Sequence, residues 1–251
     1  MKNDPIKIYF ASDFHLGTPN NEKSFKREEI IIKWLNEVSA DATEIVLLGD
    51  LFDFWVEYKT VIPKGFSRLM GALSAISDKG IKLHIFTGNH DLWQWDYFSR
   101  EMNAILYKKP VKIDFGDKKF YLAHGDGLGP GDYSYKFLKL FFYSPFCQWL
   151  FRWIHPDIGL AFGSYCSRKS RLSEDKHADT FLGENEWLVN HSRKILSTDN
   201  DIDYLVYGHR HYPVVYALNE RSRYVNLGDM ISHFSYAVFD GSDLTLHSIK
   251  S

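Results

Sequence analysis

Five short clusters of Asp, Asn and His stand where apolar runs stop. They are Asp13-Phe14-His15, Gly49-Asp50-Leu51-Phe52-Asp53, Gly88-Asn89-His90-Asp91, His124-Gly125-Asp126 and Gly208-His209-Arg210-His211. Together they offer carboxylates, imidazoles and an amide, and no thiol. Such a donor set suits a pair of hard-to-borderline divalent cations. Side chains two apart on extended backbone point the same way, so Asp13 and His15 can grip one ion. His209 and His211 repeat that spacing with two imidazoles, which can serve one ion each. Asp50 is placed to bridge, because a carboxylate has two oxygens for two cations. The first ion is expected on Asp13, His15, Asp50 and His211, and the second on Asp50, Asn89, His124 and His209. Each cluster alone is ordinary turn sequence; their shared position after strands carries the argument.

The preceding runs, IKIYFAS, EIVLLG, IKLHIFTG, KKFYLAH and IDYLVYG, are rich in β-branched and aromatic residues and read as buried strands. Residues 6–12 form the first. Between Glu22 and Val38, apolar Ile30, Ile31, Trp34, Leu35 and Val38 recur at helical spacing. Ile45–Leu48 then reads as strand, Phe66–Ile76 as helix and Lys82–Phe86 as strand. This alternation predicts an α/β layered sheet. From Val111 the pattern changes to short strands, beginning with VKIDF-GD-KKFYLAH, whose Gly-Asp pair suits a hairpin. The stretches DYLVY, PVVYAL, RYVNL, SYAVFD and LTLHSI continue it. Two packed sheets with flanking helices accommodate the whole.

A chain of 251 residues that is 45% hydrophobic can bury a sizeable core, as one large domain or a domain with an insertion. Its 32 acidic residues slightly outnumber its 30 basic ones, so no basic field points to a nucleic-acid partner. Cys147 and Cys166 have no CxxC spacing, which favours a reduced, cytoplasmic protein. Met1 leads almost directly into a strand without a leader, and no run of apolar residues is long enough to span a bilayer. Nothing in the residues specifies an oligomer.

Residues 133–171 break the pattern. Phe, Tyr and Trp crowd this segment beyond what one helix face needs, interleaved with Lys136, Lys139, Arg152, Arg168, Lys169 and Arg171. Pro145 and Pro156 divide it into helical pieces. Two readings compete: a helical hairpin that buries its aromatics against the main body, or a cap whose apolar side takes lipid or lies on a membrane surface.

The ordered set DxH, GDxxD, GNHD, strand-end His and GHxH resembles the calcineurin-like metallophosphoesterase family. That resemblance covers nearly everything but the aromatic insert. It implies an α/β, four-layer αββα sandwich around two divalent ions, with Mn²⁺ the usual working ion of relatives. Within the family, SDFHLG, GDLFDFW and HGD leading to Gly131-Asp132-Tyr133 are similar to the UDP-2,3-diacylglucosamine diphosphatases. Those enzymes carry a helical cap where residues 133–171 fall. The similarity implies cleavage of a UDP-linked diacylated glucosamine to UMP and 2,3-diacylglucosamine 1-phosphate in lipid A synthesis. It also implies a peripheral place on the cytoplasmic face of the inner membrane. One residue departs: the best-known branch has Arg where this chain has His90.

Two ions about 3.5–4 Å apart activate a water and polarise phosphoryl oxygens. His90, beside ligand Asn89, is the candidate for protonating the leaving group or stabilising charge on the phosphoryl. Asp53 and Asp91 are expected to orient ligands or loop amides, with a helix cap as the alternative for Asp53. Substrate contacts are expected at Asn89, His90, Asp132, Ser167, Lys169 and Arg171. The rival readings are a metallophosphoesterase of soluble nucleotides or other phosphoesters, and a metal-stabilised interaction module without chemistry.

Overall fold

The computed structural model describes residues 6–129, 142–174 and 180–249, with the backbone alone described for 170–174. One six-stranded sheet draws on both ends of the chain. β1 (Ile8–Ala11), β2 (Glu44–Leu47), β3 (Lys82–Phe86) and β4 (Ile105–Tyr107) run parallel, side by side. On the open side of β1, β10 (Ser235–Phe239) and β11 (Leu244–Ser248) add antiparallel strands. A second, five-stranded sheet has parallel β6 (Lys118–Ala123), β7 (Tyr204–Tyr207) and β9 (Arg223–Asn226) at its centre. Antiparallel β5 (Val111–Phe115) and β8 (Val214–Ala217) form its edges.

Parallel strands buried on both faces need a nearly continuous apolar run, and β1, β7 and, after Glu44, β2 supply it. Ile8, Phe10, Val46 and Leu48 meet Phe120, Leu122, Val206 and Val225 between the sheets. Tyr9, Ile45, Leu47 and Ile85 face the other way. They pack on Ile31, Trp34 and Leu35 of α1 (Asn21–Val38), Leu69 and Leu73 of α2 (Ser67–Asp78) and Phe98 of α3 (Tyr97–Met102). Leu188 and Val189 of α6 (Trp187–Leu196) cover Leu205, Tyr207 and Tyr224 on the far side of the second sheet. Helix, sheet, sheet, helix is the four-layer order expected.

Two further helices, α4 (Pro145–Phe151) and α5 (Pro156–Glu174), occupy the aromatic insert. Both prolines begin a helix, where a missing N–H costs nothing. Residues 133–141 of the expected cap lie outside the described residues, and α5 continues past residue 171. Cys147 and Cys166 are both unbridged. Among the described residues no helix is long and apolar enough to cross a membrane.

Sequence periodicity placed β3 and the β5–β6 hairpin closely but passed over α3, β4 and α6. Six and three residues are too few to show a period in the first two. The expected strand 6–12 ends earlier, at Ala11, because Asp13 turns into left-handed backbone.

Candidate metal centre

Parallel strands send their C-terminal ends to one edge, which is where ligands bind in such sheets. β1 releases Asp13 and His15 there, β2 Asp50, and β3 Asn89 and His90. From the second sheet β6 releases His124 and β7 His209 and His211.

The sequence argument for paired side chains needs one correction. Asp13 and His15 are not on extended backbone; their φ angles are +57° and +43°. Asp50 (+53°), His209 (+66°) and His211 (+54°) share the left-handed region. Five of the eight non-glycine residues with positive φ among those described are therefore would-be ligands. Each such residue costs about 1–3 kcal/mol and persists only where its surroundings over-determine it. Glycines admit the tight approach: a Cβ on Gly88 would collide with the Asp50 carboxylate, and one on Gly208 with the Ser12 hydroxyl and Asp13.

The side chains meet in two overlapping groups. In the first, His15 Nε2 lies 3.5 Å from Asp13 Oδ1 and 3.6 Å from Asp50 Oδ2, and His211 Nε2 is 3.4 Å from Asp13 Oδ1. In the second, His124 Nε2 is 3.2 Å from Asp50 Oδ2 and 3.1 Å from Asn89 Oδ1, which is also 3.1 Å from His209 Nδ1. All seven expected ligands converge. Asp50 spans the groups through Oδ2 alone, since Oδ1 accepts the His90 amide at 2.8 Å. Asp50 is thus the residue that would serve both ions.

These donors fit divalent ions. Among the described residues, buried Asp13 Oδ1 and both nitrogens of buried His15 have no hydrogen-bond partner, although carboxylate and ring face each other. Two ligands about 2.0–2.2 Å from a common cation stand roughly 3–3.5 Å apart, as these do. Tautomers agree. His124 Nδ1 lies 2.7 Å from the Leu48 carbonyl, which only accepts, so the ring proton is held there and Nε2 is left for an ion. His211 Nδ1 is likewise held by Asp229 Oδ2 at 3.2 Å.

Burial opposes charge on Asp13, but the facing His211 and the His15 ring beside it outweigh burial and hold the carboxyl well below its usual range. Asp50 is lowered in the same way, against burial, by His124 and His90. Burial lowers His15, while Asp50 raises His124 well above an ordinary imidazole despite burial. His211 is raised to about 9, with Asp13 and Asp229 overriding burial.

Asp91 ties the loops together. Its carboxylate accepts from the amides of Gly88 (2.7 Å), Leu51 (2.8 Å) and Asp50 (3.3 Å), and burial plus the Asp50 charge push it up to about 7. Asp53 is not a helix cap, because the next helix starts at Ser67; its carbonyl instead lies 3.0 Å from His90 Nδ1. His90 is buried, its ring edge-on to His15 at 4.8 Å, and its Nε2 has no hydrogen-bond partner among the described residues.

Of the expected substrate contacts, Lys169 is exposed on α5, while Asp132 and the Arg171 side chain lie outside the described residues. Ser167, expected to face substrate, is buried instead, with Oγ 2.7 Å from both His90 Nδ1 and the Asp53 carbonyl. Asp229 went unnoticed in the sequence. Its Oδ1 accepts from the amides of Ile231, Ser232 and His233, which fixes the carboxylate that holds His211. The signal was there, since Gly228-Asp229 follows the apolar run RYVNL like the other clusters. Arg27 was missed too; from α1 it donates to the His15 carbonyl at 2.6 Å, and a helix residue gives no sequence sign of that contact.

The insert divides by burial. Phe142, Phe151 and Leu160 pack on Val56, Tyr58 and Trp93 beside the site. Trp153 is 75% exposed, Phe146 67%, Ile158 64% and Phe162 60%. Arg152 stacks on Trp95 at 4.5 Å. Only the inner side follows the buried-hairpin expectation.

Residues 6–213 match the model of the calcineurin-like phosphoesterases, and the chain belongs to that family. It is a metal-dependent phosphoester hydrolase. Among curated relatives, a UDP-2,3-diacylglucosamine hydrolase of Porphyromonas gingivalis is 37% identical over 97% of this chain and 98% of its own. Proteins of the same description from Haemophilus influenzae and Nitrosococcus oceani are 25% and 26% identical, covering 90% and 84% of this chain and 92% and 81% of theirs.

Proposed function

We propose that this chain hydrolyses the diphosphate of UDP-2,3-diacylglucosamine, releasing UMP and 2,3-diacylglucosamine 1-phosphate, with Mn²⁺ as the working ion. The observation that carries the reading is the exposed apolar cap beside a phosphoesterase centre. Soluble proteins seldom expose such a cluster unless it meets a lipid or another protein, and this substrate brings acyl chains. The near full-length likeness to the Porphyromonas gingivalis hydrolase supports the same choice.

Asp13, His15, Asp50 and His211 would hold one ion, and Asp50, Asn89, His124 and His209 the other. When bound, such a pair supplies a nucleophilic hydroxide at neutral pH and neutralises charge on phosphoryl oxygens. Asp229 and the Leu48 carbonyl keep two of the imidazoles in ligand tautomers. His90, held through its Nδ1 proton, turns Nε2 inward, and as the doubly protonated imidazolium it can donate from that nitrogen to a phosphoryl or leaving oxygen. Trp149, Trp153, Ile158 and Phe162 would face acyl chains or the bilayer surface, with Arg168 and Lys169 for phosphates. That arrangement suits a protein peripheral to the cytoplasmic face of the inner membrane.

The test is UMP release from UDP-2,3-diacylglucosamine in detergent by purified protein with Mn²⁺. Turnover of that substrate, against none of cAMP or ATP, is expected. Hydrolysis of the soluble nucleotides with none of the acylated one would overturn the reading in favour of a soluble-substrate phosphoesterase.

A further inference from the structure

We infer that Ser167 is a positioning residue, through which cap helix α5 holds the His90 ring at the metal centre; the inference rests on the role proposed for His90. Three buried groups close a triangle. His90 Nδ1 lies 2.7 Å from Ser167 Oγ and 3.0 Å from the Asp53 carbonyl, and Ser167 Oγ lies 2.7 Å from that same carbonyl. The carbonyl can only accept. Ser167 therefore donates its hydroxyl proton to Asp53 and accepts the Nδ1 proton from His90. This chain of hydrogen bonds sets both the tautomer and the tilt of the ring. Nε2 is then the nitrogen turned to the centre, buried and beside His15.

The helix is built to come this close. Gly159, Gly163 and Ser167 recur every fourth residue and so share one face of α5. A Cβ on Gly159 would strike the Tyr58 hydroxyl, and one on Gly163 the Phe54 ring. Small residues let α5 lie against the 53–58 loop, which itself pairs with His90 through the Trp55 amide at 3.3 Å. Elsewhere the same helix exposes Ile158, Phe162 and Tyr165. One rigid element thus carries both the apolar surface offered to lipid and the hydroxyl that orients His90.

A double-mutant cycle on the metal-loaded enzyme tests this, using Ser167→Ala, His90→Ala and the double variant. Both UDP-2,3-diacylglucosamine and bis(p-nitrophenyl) phosphate serve as substrates. S167A is expected to lower kcat about tenfold, in the range for loss of an orienting partner, with KM and metal content unchanged. In the His90→Ala background the same substitution should change nothing. A second readout does not depend on turnover: ¹⁵N NMR of histidine in the Mg²⁺-loaded protein. His90 should carry its proton on Nδ1 in the parent and exchange between tautomers in S167A. The inference is overturned by an S167A cost that persists in the His90→Ala background, by a rise in KM instead of a fall in kcat, by a fully active S167A, or by an unchanged His90 tautomer. Failure of the proposed substrate is seen separately, as turnover of the aryl diester without release of UMP.

Discussion

The loops at the sheet edge and the cap beside them treat their side chains in opposite ways. Around the metal centre Asp13, His15, Asp50 and Asp91 are buried almost completely, and the first three sit on left-handed backbone held by hydrogen bonds from distant loops. In α4 and α5 large aromatics stand in solvent, and no α4 residue is buried. Rigidity serves ligands that must meet an ion within a few tenths of an ångström, whereas a surface for acyl chains needs area rather than exact placement. The contrast teaches that the donor-rich centre and the exposed apolar surface are built from different parts of one chain and joined where Ser167 meets His90.

Substitutions should separate the two regions. Asp50→Ala removes the oxygen shared by both groups of donors, so metal content measured by mass spectrometry should fall and phosphodiesterase activity drop by about 10³-fold or more, beyond the loss of a single transition-state donor. Retention of both ions and activity would break the contrast at its rigid end. Asp91→Ala leaves three loop amides buried without an acceptor, and each such group costs about 1–3 kcal/mol. A loss of about 3 kcal/mol in a urea titration of the metal-free protein is expected. No loss would mean that the loops are not held from below.

The cap should respond differently. Trp149→Ser with Trp153→Ser should leave stability within about 0.5 kcal/mol, as for other surface changes. Co-sedimentation with anionic vesicles should fall about tenfold, since partial burial of two indoles is worth roughly 1.4 kcal/mol or more. Unchanged sedimentation would remove the membrane from the reading. The smallest expected effect lies far from both regions. Burial disfavours charge on Asp203, but hydrogen bonds from Arg221 and the Lys119 amide prevail and lower its pKa below the ordinary 3.8. A carboxyl depressed in the folded state stabilises above its unfolded pKa and loses that contribution as pH falls through the folded one. Asp203→Asn should therefore narrow the gap between neutral and acid stability below about pH 4, as read by urea titration on either side of that pH.

Local chemistry made the strands and the seven converging donors readable in advance. Apolar runs of β-branched and aromatic residues, each closed by a polar cluster, mark the C-terminal ends of buried parallel strands whatever the rest of the chain does. Asp13, Asp50, His124 and His211 were legible for that reason. The exposed outer side of the cap was not, because an aromatic-rich helix looks alike whether its rings face a core or water. Ser167 was named for the wrong surface, since nothing in its neighbours reveals that a helix of the cap reaches beneath His90.

What the residues determined unaided was the inventory: which donors exist, and that each follows a strand. Tertiary structure alone decided that one Asp50 oxygen lies beside both groups of donors, that Asp13, His15, Asp50, His209 and His211 sit on left-handed backbone rather than extended strand, and that Asp229 and Ser167 meet His211 and His90. The physical reason is range. The hydrogen bond from the His209 amide to Asp13 spans 196 positions and the one joining Ser167 to His90 spans 77. Contacts of that separation form only after both sheets have stacked, so no local pattern can announce them.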